Sequence, residues 1–363
     1  MQTRSSTNTM KAWRFESASG RLGLEEVPVP ALRPGAVLVR VQATPVLSYM
    51  GDVLAGKLTT YRFPPRPFTP GTNGTGTVES IGPEIYHVRA GQRVVLNPHF
   101  VVNERTGSPE QILIGLHRIG PDSAPVQDTW PDGSFAEYAL MPASVVTPIS
   151  GNLAAERLAT LGKFAVPYGG LIQIGLQAGE TLIVNGATGY FGSAAALLGL
   201  AMGAARVIAA GRDAATLGKL ASVLGARGVT IALSGDSARD TAELREAAGG
   251  GADAAIDLVG RATDPGSTVA TLRALRRGGR LALMGSMTAP LPLAYGEIMI
   301  NDLTIVGRFM YPPDALARLA VMADSGTLDL GAVDVKPFPL DQLPAALTHA
   351  ATMRGLEATV LTM

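Results

Sequence analysis

From about residue 161 onward the chain alternates short, mostly apolar runs with Ala- and Leu-rich stretches of helical period. The runs at 181–184, 206–210, 229–233, 254–258, 280–284 and 303–306 read as strands, and 191–202, 214–224, 240–248 and 268–276 as the helices between them. Strands that are apolar on both faces, each followed by a helix, specify a parallel sheet covered on both sides. This is a doubly wound α/β unit. The tail adds helices near 314–324 and 340–353 and a last strand at 358–361. The first half is different. Segments 35–42, 74–81 and 92–96 read as β-strands punctuated by Pro28, Pro30, Pro34, Gly71, Gly82 and Pro83, which suggests a partly open barrel. Residues 97–133 show little periodicity beyond an apolar patch at 112–116 and read as a long loop, functional or mobile.

The composition excludes several classes. A chain of 363 residues suggests two domains. With no cysteine there is no disulfide scaffold, thiolate zinc site, iron–sulfur cluster or cysteine nucleophile. The four histidines, His87, His99, His117 and His349, are too scattered to form a local metal pair. Lys+Arg and Asp+Glu number 30 each, so nothing draws the chain to nucleic acid or an anionic membrane. Residues 1–9 are polar, lack the apolar core of a signal peptide and read as a loose tail. Residues 181–205 are long and uncharged enough to mimic a membrane span, but five glycines and Asn185 favour a buried strand, turn and helix. The expectation is a cytoplasmic enzyme. Charged residues are only 17%, against about 25% in an average domain, which suggests much buried surface, part of it in an oligomer.

The first strand of the alternation runs into Asn185-Gly186-Ala187-Thr188-Gly189-Tyr190-Phe191-Gly192 and then a helix. The spacing G-x-x-G-x-x-G between strand and helix matches a dinucleotide site, the alternative being a Gly-rich turn with no ligand. One glycine makes the turn, one lets amides approach a pyrophosphate, and one lets helix and strand pack. Gly186, Thr188, Gly189, Tyr190, Phe191 and Gly192 are the expected contacts. The next strand ends Gly211-Arg212-Asp213. Gly211 stands where an acid would select NAD, and Arg212 can grip a 2′-phosphate, so NADP is the expected cofactor. Two alternatives stay open: Asp213 plays the acid one or two residues late, or Arg212 is merely solvated.

Together these segments resemble the medium-chain dehydrogenase/reductase superfamily over nearly the whole chain. Residues 10–12 look like its usual start, and residues 39–44 like its early barrel strand. Pro70-Gly71-Thr72-Asn73-Gly74-Thr75-Gly76 resembles its P-G-H-E-x-x-G segment, and Ala90-Gly91-Gln92-Arg93-Val94 its G-D-R-V turn. Residues 251–260 and 275–285 resemble its later Rossmann strands, with Leu258 and Gly285 at cofactor-contacting positions. The resemblance implies an α/β chain: a Rossmann doubly wound parallel sheet at 163–309, and a GroES-like β-barrel catalytic domain at 1–162 to which 310–363 return. It also implies an NAD(P)-dependent oxidoreductase, a small-molecule substrate and a homodimer, paired through the apolar edge strand at 303–306.

The zinc ligands of metal-dependent members fall on Leu47, Thr72, Asn73 and Gly162, and 97–133 replaces the structural zinc lobe. The chain therefore resembles the zinc-free branch, which includes quinone oxidoreductases and enone reductases. Without zinc, hydroxyl or amide donors must stabilise charge on the substrate oxygen. Tyr49, at or beside the family's proton-relay hydroxyl, is the first candidate, and its competing role is packing under the domain interface. Asn73 can donate through its amide or simply cap a turn. Asp52, three residues after Tyr49, can relay protons or stay solvated. Ser48 and Thr72 are weaker candidates. Val166 is expected at the nicotinamide and Tyr168 at the cleft. Arg308 is expected at a phosphate and Tyr311 in the pocket, while His99 and His117 are loop histidines. Three functions compete: an NADPH-dependent reductase of a quinone, enone or similar activated carbonyl, a zinc-free alcohol dehydrogenase or ketone reductase, and a non-catalytic NADPH-binding protein.

Overall fold

The computed structural model describes residues 9–102 and 107–363. The polar tail read at 1–9 lies, up to residue 8, outside the described residues. The chain divides into two compact units: Met1–Gly162 with Val335–Met353 and Ala358–Met363, and Lys163–Asp334 with Arg354–Glu357.

In the first unit β1 (Thr9–Glu16) and β2 (Arg21–Pro28) form a hairpin. The hub is β3 (Ala36–Val46), whose alternating apolar residues include the buried Val37, Val39 and Val41. One edge of β3 pairs antiparallel with β4 (Gly74–Ile81), which in turn pairs with β5 (Arg93–Leu96). Its other edge is shared between Tyr138–Pro142 and the last strand, Glu357–Thr362. Sharing an edge between two partners curls the sheet, as the barrel reading required. The short helix α1 (Met50–Leu54) follows β3.

Segment 97–133 departs from the loop expectation. It holds β6 (His99–Val101), β7 (Gln111–Leu113) and β8 (His117–Ile119) as a small antiparallel sheet, followed by α2 (Ala124–Thr129). Ile112 and Ile114 join the same core as Val37, Val39 and Val94. The small sheet is pinned by backbone contact: an ideal Cβ at Gly115 or Gly133 would stand 2.2 or 2.1 Å from the carbonyl oxygen of Gly71.

The second unit is a six-stranded parallel sheet. Its strands are β9 (Thr181–Asn185), β10 (Arg206–Gly211), β11 (Gly228–Ala232), β12 (Ala252–Asp257), β13 (Leu275–Leu283) and β14 (Thr304–Gly307), in spatial order β11-β10-β9-β12-β13-β14. The order reverses between β9 and β12, the switch point where such sheets bind ligands beyond their strand ends. The would-be membrane span is β9, the glycine turn and the helix Tyr190–Ala201, and no helix among the described residues is long and apolar enough to cross a membrane. Two expectations shift. The helix read at 268–276 ends at Arg273, and β13 begins at Leu275, which pairs with Ala252 of β12. The return to the first unit begins at Val335, not 310. The helix Ala315–Asp324 packs in the second unit, and Tyr311 lies against Gly169 of the helix Leu161–Gln173.

Candidate functional site

In the second unit the glycine turn sits at the C-terminal end of β9. Gly186 adopts φ +80°, and an ideal Cβ there would lie 3.2 Å from the backbone of Leu258. Gly189 caps the helix Tyr190–Ala201 in extended geometry with no side-chain cap, and its N–H donates to Gly186 O at 2.9 Å. A Cβ on Gly192 would meet Gly186 O at 2.0 Å. Each glycine therefore has a steric reason, and the first helical amides stay without a side-chain acceptor, as a phosphate site needs. Gly211 is fixed by packing: a Cβ there would lie 2.6 Å from Thr188 Cγ2. Leu258 N donates to Asn185 O at 3.1 Å, and Gly285 packs against Val259 O, so both strand ends close on the turn. Val166 is half-exposed between the buried Ala165 and Pro167, which leaves it available to a ring.

Some expected contacts are placed differently. The Tyr190 side chain turns inward, buried beneath the Lys163 ammonium, which lies 3.9 Å over its ring. Only its backbone remains at the turn, and its neighbour Phe191 meets it edge-on at 5.0 Å. Burial raises the Tyr190 pKa. Asp213 caps the helix Ala214–Leu224, accepting from Thr216 N at 2.6 Å. Hydrogen bonds from the Thr216 side chain and backbone, then the charges of Arg354 and Lys219, hold its pKa down. Arg212 stands exposed beside it. Tyr311 is core, not pocket lining, because its ring is fully buried. Arg308 donates to Gln173 Oε1 at 3.5 Å. Tyr168 is buried and hydrogen-bonded with Arg318.

Sequence reasoning missed two buried groups. Lys163 Nζ donates to Gly355 O at 2.8 Å and Glu357 O at 3.2 Å, while Gly355 N reaches Thr188 O at 3.0 Å. Burial drives the Lys163 pKa down, against the opposing pull of Glu357. Asp257 ends β12 and accepts from Asn185 Nδ2 at 3.1 Å, Val259 N at 3.0 Å and the Thr268 hydroxyl; burial raises its pKa. A lone Lys or Asp in an apolar run was the only signal.

In the first unit the segment 70–76 is held by its backbone. Gly71 adopts φ +114°, where a Cβ would come within 2.7–2.8 Å of Phe135 and Ser134 N. The Thr44 hydroxyl donates to Asn73 O at 2.7 Å, and Ser134 Oγ lies 2.6 Å from it. The metal-ligand positions hold the buried Leu47, Thr72 and Asn73 and the side-chain-free Gly162. Asn73 Nδ2 donates to Leu96 O at 3.3 Å, and a Cβ on Gly162 would lie 2.4 Å from Asn73 Oδ1, so Asn73 occupies the space Gly162 leaves. One hydroxyl and one amide, with no imidazole, thiolate or carboxylate, do not fit zinc. Among the described residues no group of three or more His, Cys, Asp or Glu could hold a metal. Thr72 Oγ1 is buried with no hydrogen-bond partner.

Tyr49 is half-buried at the N-cap of α1. Its ring lies 6.4 Å from that of Tyr61, and the two side chains share a hydrogen bond. Tyr61 lies 4.9 Å from the His117 ring. His117 Nδ1 accepts from Arg62 N at 2.9 Å. Burial raises the Tyr61 pKa, opposed by the Tyr49 bond. Burial, then Arg62 and Arg118, bring His117 down to about 4. Asp52 pairs with Lys57 at 3.0 Å. His99 is buried in the small sheet, its Nε2 2.9 Å from Gln111 Oε1. Tyr49 is thus half-buried and linked to a second hydroxyl, that of Tyr61.

These two units define a nicotinamide-dependent oxidoreductase architecture. The alcohol dehydrogenase GroES-like domain matches residues 33–151 and the zinc-binding dehydrogenase family residues 191–324. An L-threonine 3-dehydrogenase of Xanthomonas campestris is 30% identical, covering 83% of this chain and 86% of its own. A sorbitol dehydrogenase of Bacillus subtilis is 26% identical, covering 92% and 90%. The solved 2R,3R-butanediol dehydrogenase of Bacillus subtilis shares the fold at TM-score 0.80 and 20% identity, covering 98% of this chain and 99% of that one. The chain belongs to the medium-chain dehydrogenase/reductase superfamily and is an oxidoreductase.

Proposed function

We propose that the chain is a zinc-independent, NADP(H)-preferring oxidoreductase that reduces an activated carbonyl, an enone or a quinone by direct hydride transfer. The observation that carries this reading is the side-chain set Leu47, Thr72, Asn73 and Gly162 where metal-dependent members place their ligands. Bound NADPH would supply the hydride, and the chain's own groups must manage the charge left on oxygen. A conjugated carbonyl spreads that charge into an enolate, which asks less of the site than an alkoxide. The Tyr49 phenol donates the proton or hydrogen bond. The orphan Thr72 hydroxyl supplies a second donor.

The glycine turn would hold the pyrophosphate on the first amides of the helix Tyr190–Ala201. For the 2′-phosphate the support is threefold: Gly211 carries no acid, Arg212 is exposed, and the Asp213 carboxylate is occupied as a helix cap and faces Arg354. A second reading, a secondary-alcohol dehydrogenase or ketone reductase, is favoured by relatives named as threonine, sorbitol and butanediol dehydrogenases. Steady-state assays with NADPH and NADH over quinones, enones, ketones and secondary alcohols decide. NADPH-dependent turnover of enones or quinones is expected. Turnover confined to alcohols and plain ketones would select the second reading, and a wide preference for NADH would overturn the cofactor assignment. Cofactor binding without any turnover would leave a non-catalytic NADPH-binding protein.

A further inference from the structure

We propose that Tyr61 and His117 are positioning residues for Tyr49, forming with it a bonded pair of phenols packed against an imidazole and assembled from three separate segments of the first unit. The inference rests on the reading of Tyr49 as the group that meets the substrate oxygen. A phenol on a short helix has two soft torsions and a freely rotating hydroxyl. It stabilises a developing oxyanion only when held in place beforehand. Tyr61 holds it: the two side chains share a hydrogen bond, with ring centroids 6.4 Å apart and planes tilted by 57°. His117 holds Tyr61, its ring 4.9 Å away and tilted by 41°. The imidazole is itself fixed, because Nδ1 accepts the backbone N–H of Arg62, the residue next to Tyr61. That bond puts the proton of the neutral ring on Nε2.

All three side chains are half-buried, so the constellation keeps a route to solvent. As the substrate oxygen gains negative charge, the Tyr49 proton passes to it. The Tyr61 proton then passes to the Tyr49 oxygen, and water reprotonates Tyr61. Each O–H broken is replaced by one formed, and one proton is drawn from solvent. This gives the segment 97–133 a role, since it carries His117 into the constellation.

Tyr49→Phe, Tyr61→Phe and His117→Phe test this, with two readouts. In steady state, Tyr49→Phe should lower kcat by about a hundredfold and Tyr61→Phe by about tenfold. KM for NADPH should not change, and His117→Phe should fall between Tyr61→Phe and wild type. In the cofactor-free protein, tyrosinate absorbance is followed against pH for the wild type, both Tyr→Phe variants and the double variant. The two single changes should be non-additive, because the hydroxyls are bonded to each other. Wild-type turnover by Tyr49→Phe would overturn the reading of Tyr49 itself. Slow Tyr49→Phe together with wild-type kcat in Tyr61→Phe and His117→Phe, or additive titrations, would overturn the positioning roles alone.

Discussion

A buried hydroxyl without a partner, such as Thr72, costs about 1–3 kcal/mol. A substrate oxygen or a water can recover that cost. Thr72→Val is therefore expected to keep or raise the melting temperature while raising KM for the carbonyl substrate several-fold, as thermal melts and kinetics would show. His117 makes a pH prediction. Its folded pKa of about 4 lies below the ordinary 6.5, so the unfolded chain takes up this proton first as the pH falls. The contribution is intact above pH 6.5 and is lost progressively towards pH 4. Denaturation midpoints at pH 7 and pH 5 should differ less in His117→Phe than in the wild type. At this scale the sequence was legible only in part. Tyr49 stands out through its place in a known segment. Tyr61 lies in an aperiodic stretch, and its link to His117 crosses 56 residues that only the closed fold brings together. The inward turn of the Tyr190 ring was not legible, because a glycine pattern locates a backbone, not the direction of the ring between two glycines.

The glycine turn and the β–α alternation are the elements best foretold, for a physical reason. A buried parallel strand and its helix write two distinct periods into the chain, and the turn between them tolerates only glycine at set places. Gly192→Ala should put a methyl group 2.0 Å from Gly186 O. A loss of about 2 kcal/mol of stability and of NADPH binding is expected, measured by thermal melts with and without cofactor. An unchanged melt would show that the turn relaxes. The elements β6, β7 and β8 were not foretold. Strands of three residues are too short to show alternation, and their docking depends on backbone contact among Gly71, Gly115 and Gly133, which leaves no hydrophobic signature.

At the scale of the molecule, two units were expected and two are found, with the chain returning to the first at Val335. The tail helix Ala315–Asp324 was expected in the return to the first unit and packs in the second, because an apolar stripe shows that a helix is buried but not against which core. The sheet ends in β14, and the helix before it exposes Tyr295, Met299 and Ile300, with Tyr295 82% exposed. An open apolar edge of this kind favours pairing with a second copy. A homodimer is the expected state in sedimentation velocity, with Ile300→Glu shifting it toward monomer; a monomeric wild type would contradict it. The central claim is that carbonyl reduction here proceeds on hydroxyl donors without zinc. Its most direct test is NADPH-dependent turnover after exhaustive dialysis against a chelator, with zinc content measured on the same sample. Undiminished turnover at far less than one zinc per chain is the predicted result. Activity lost on chelation and restored by stoichiometric zinc would contradict it.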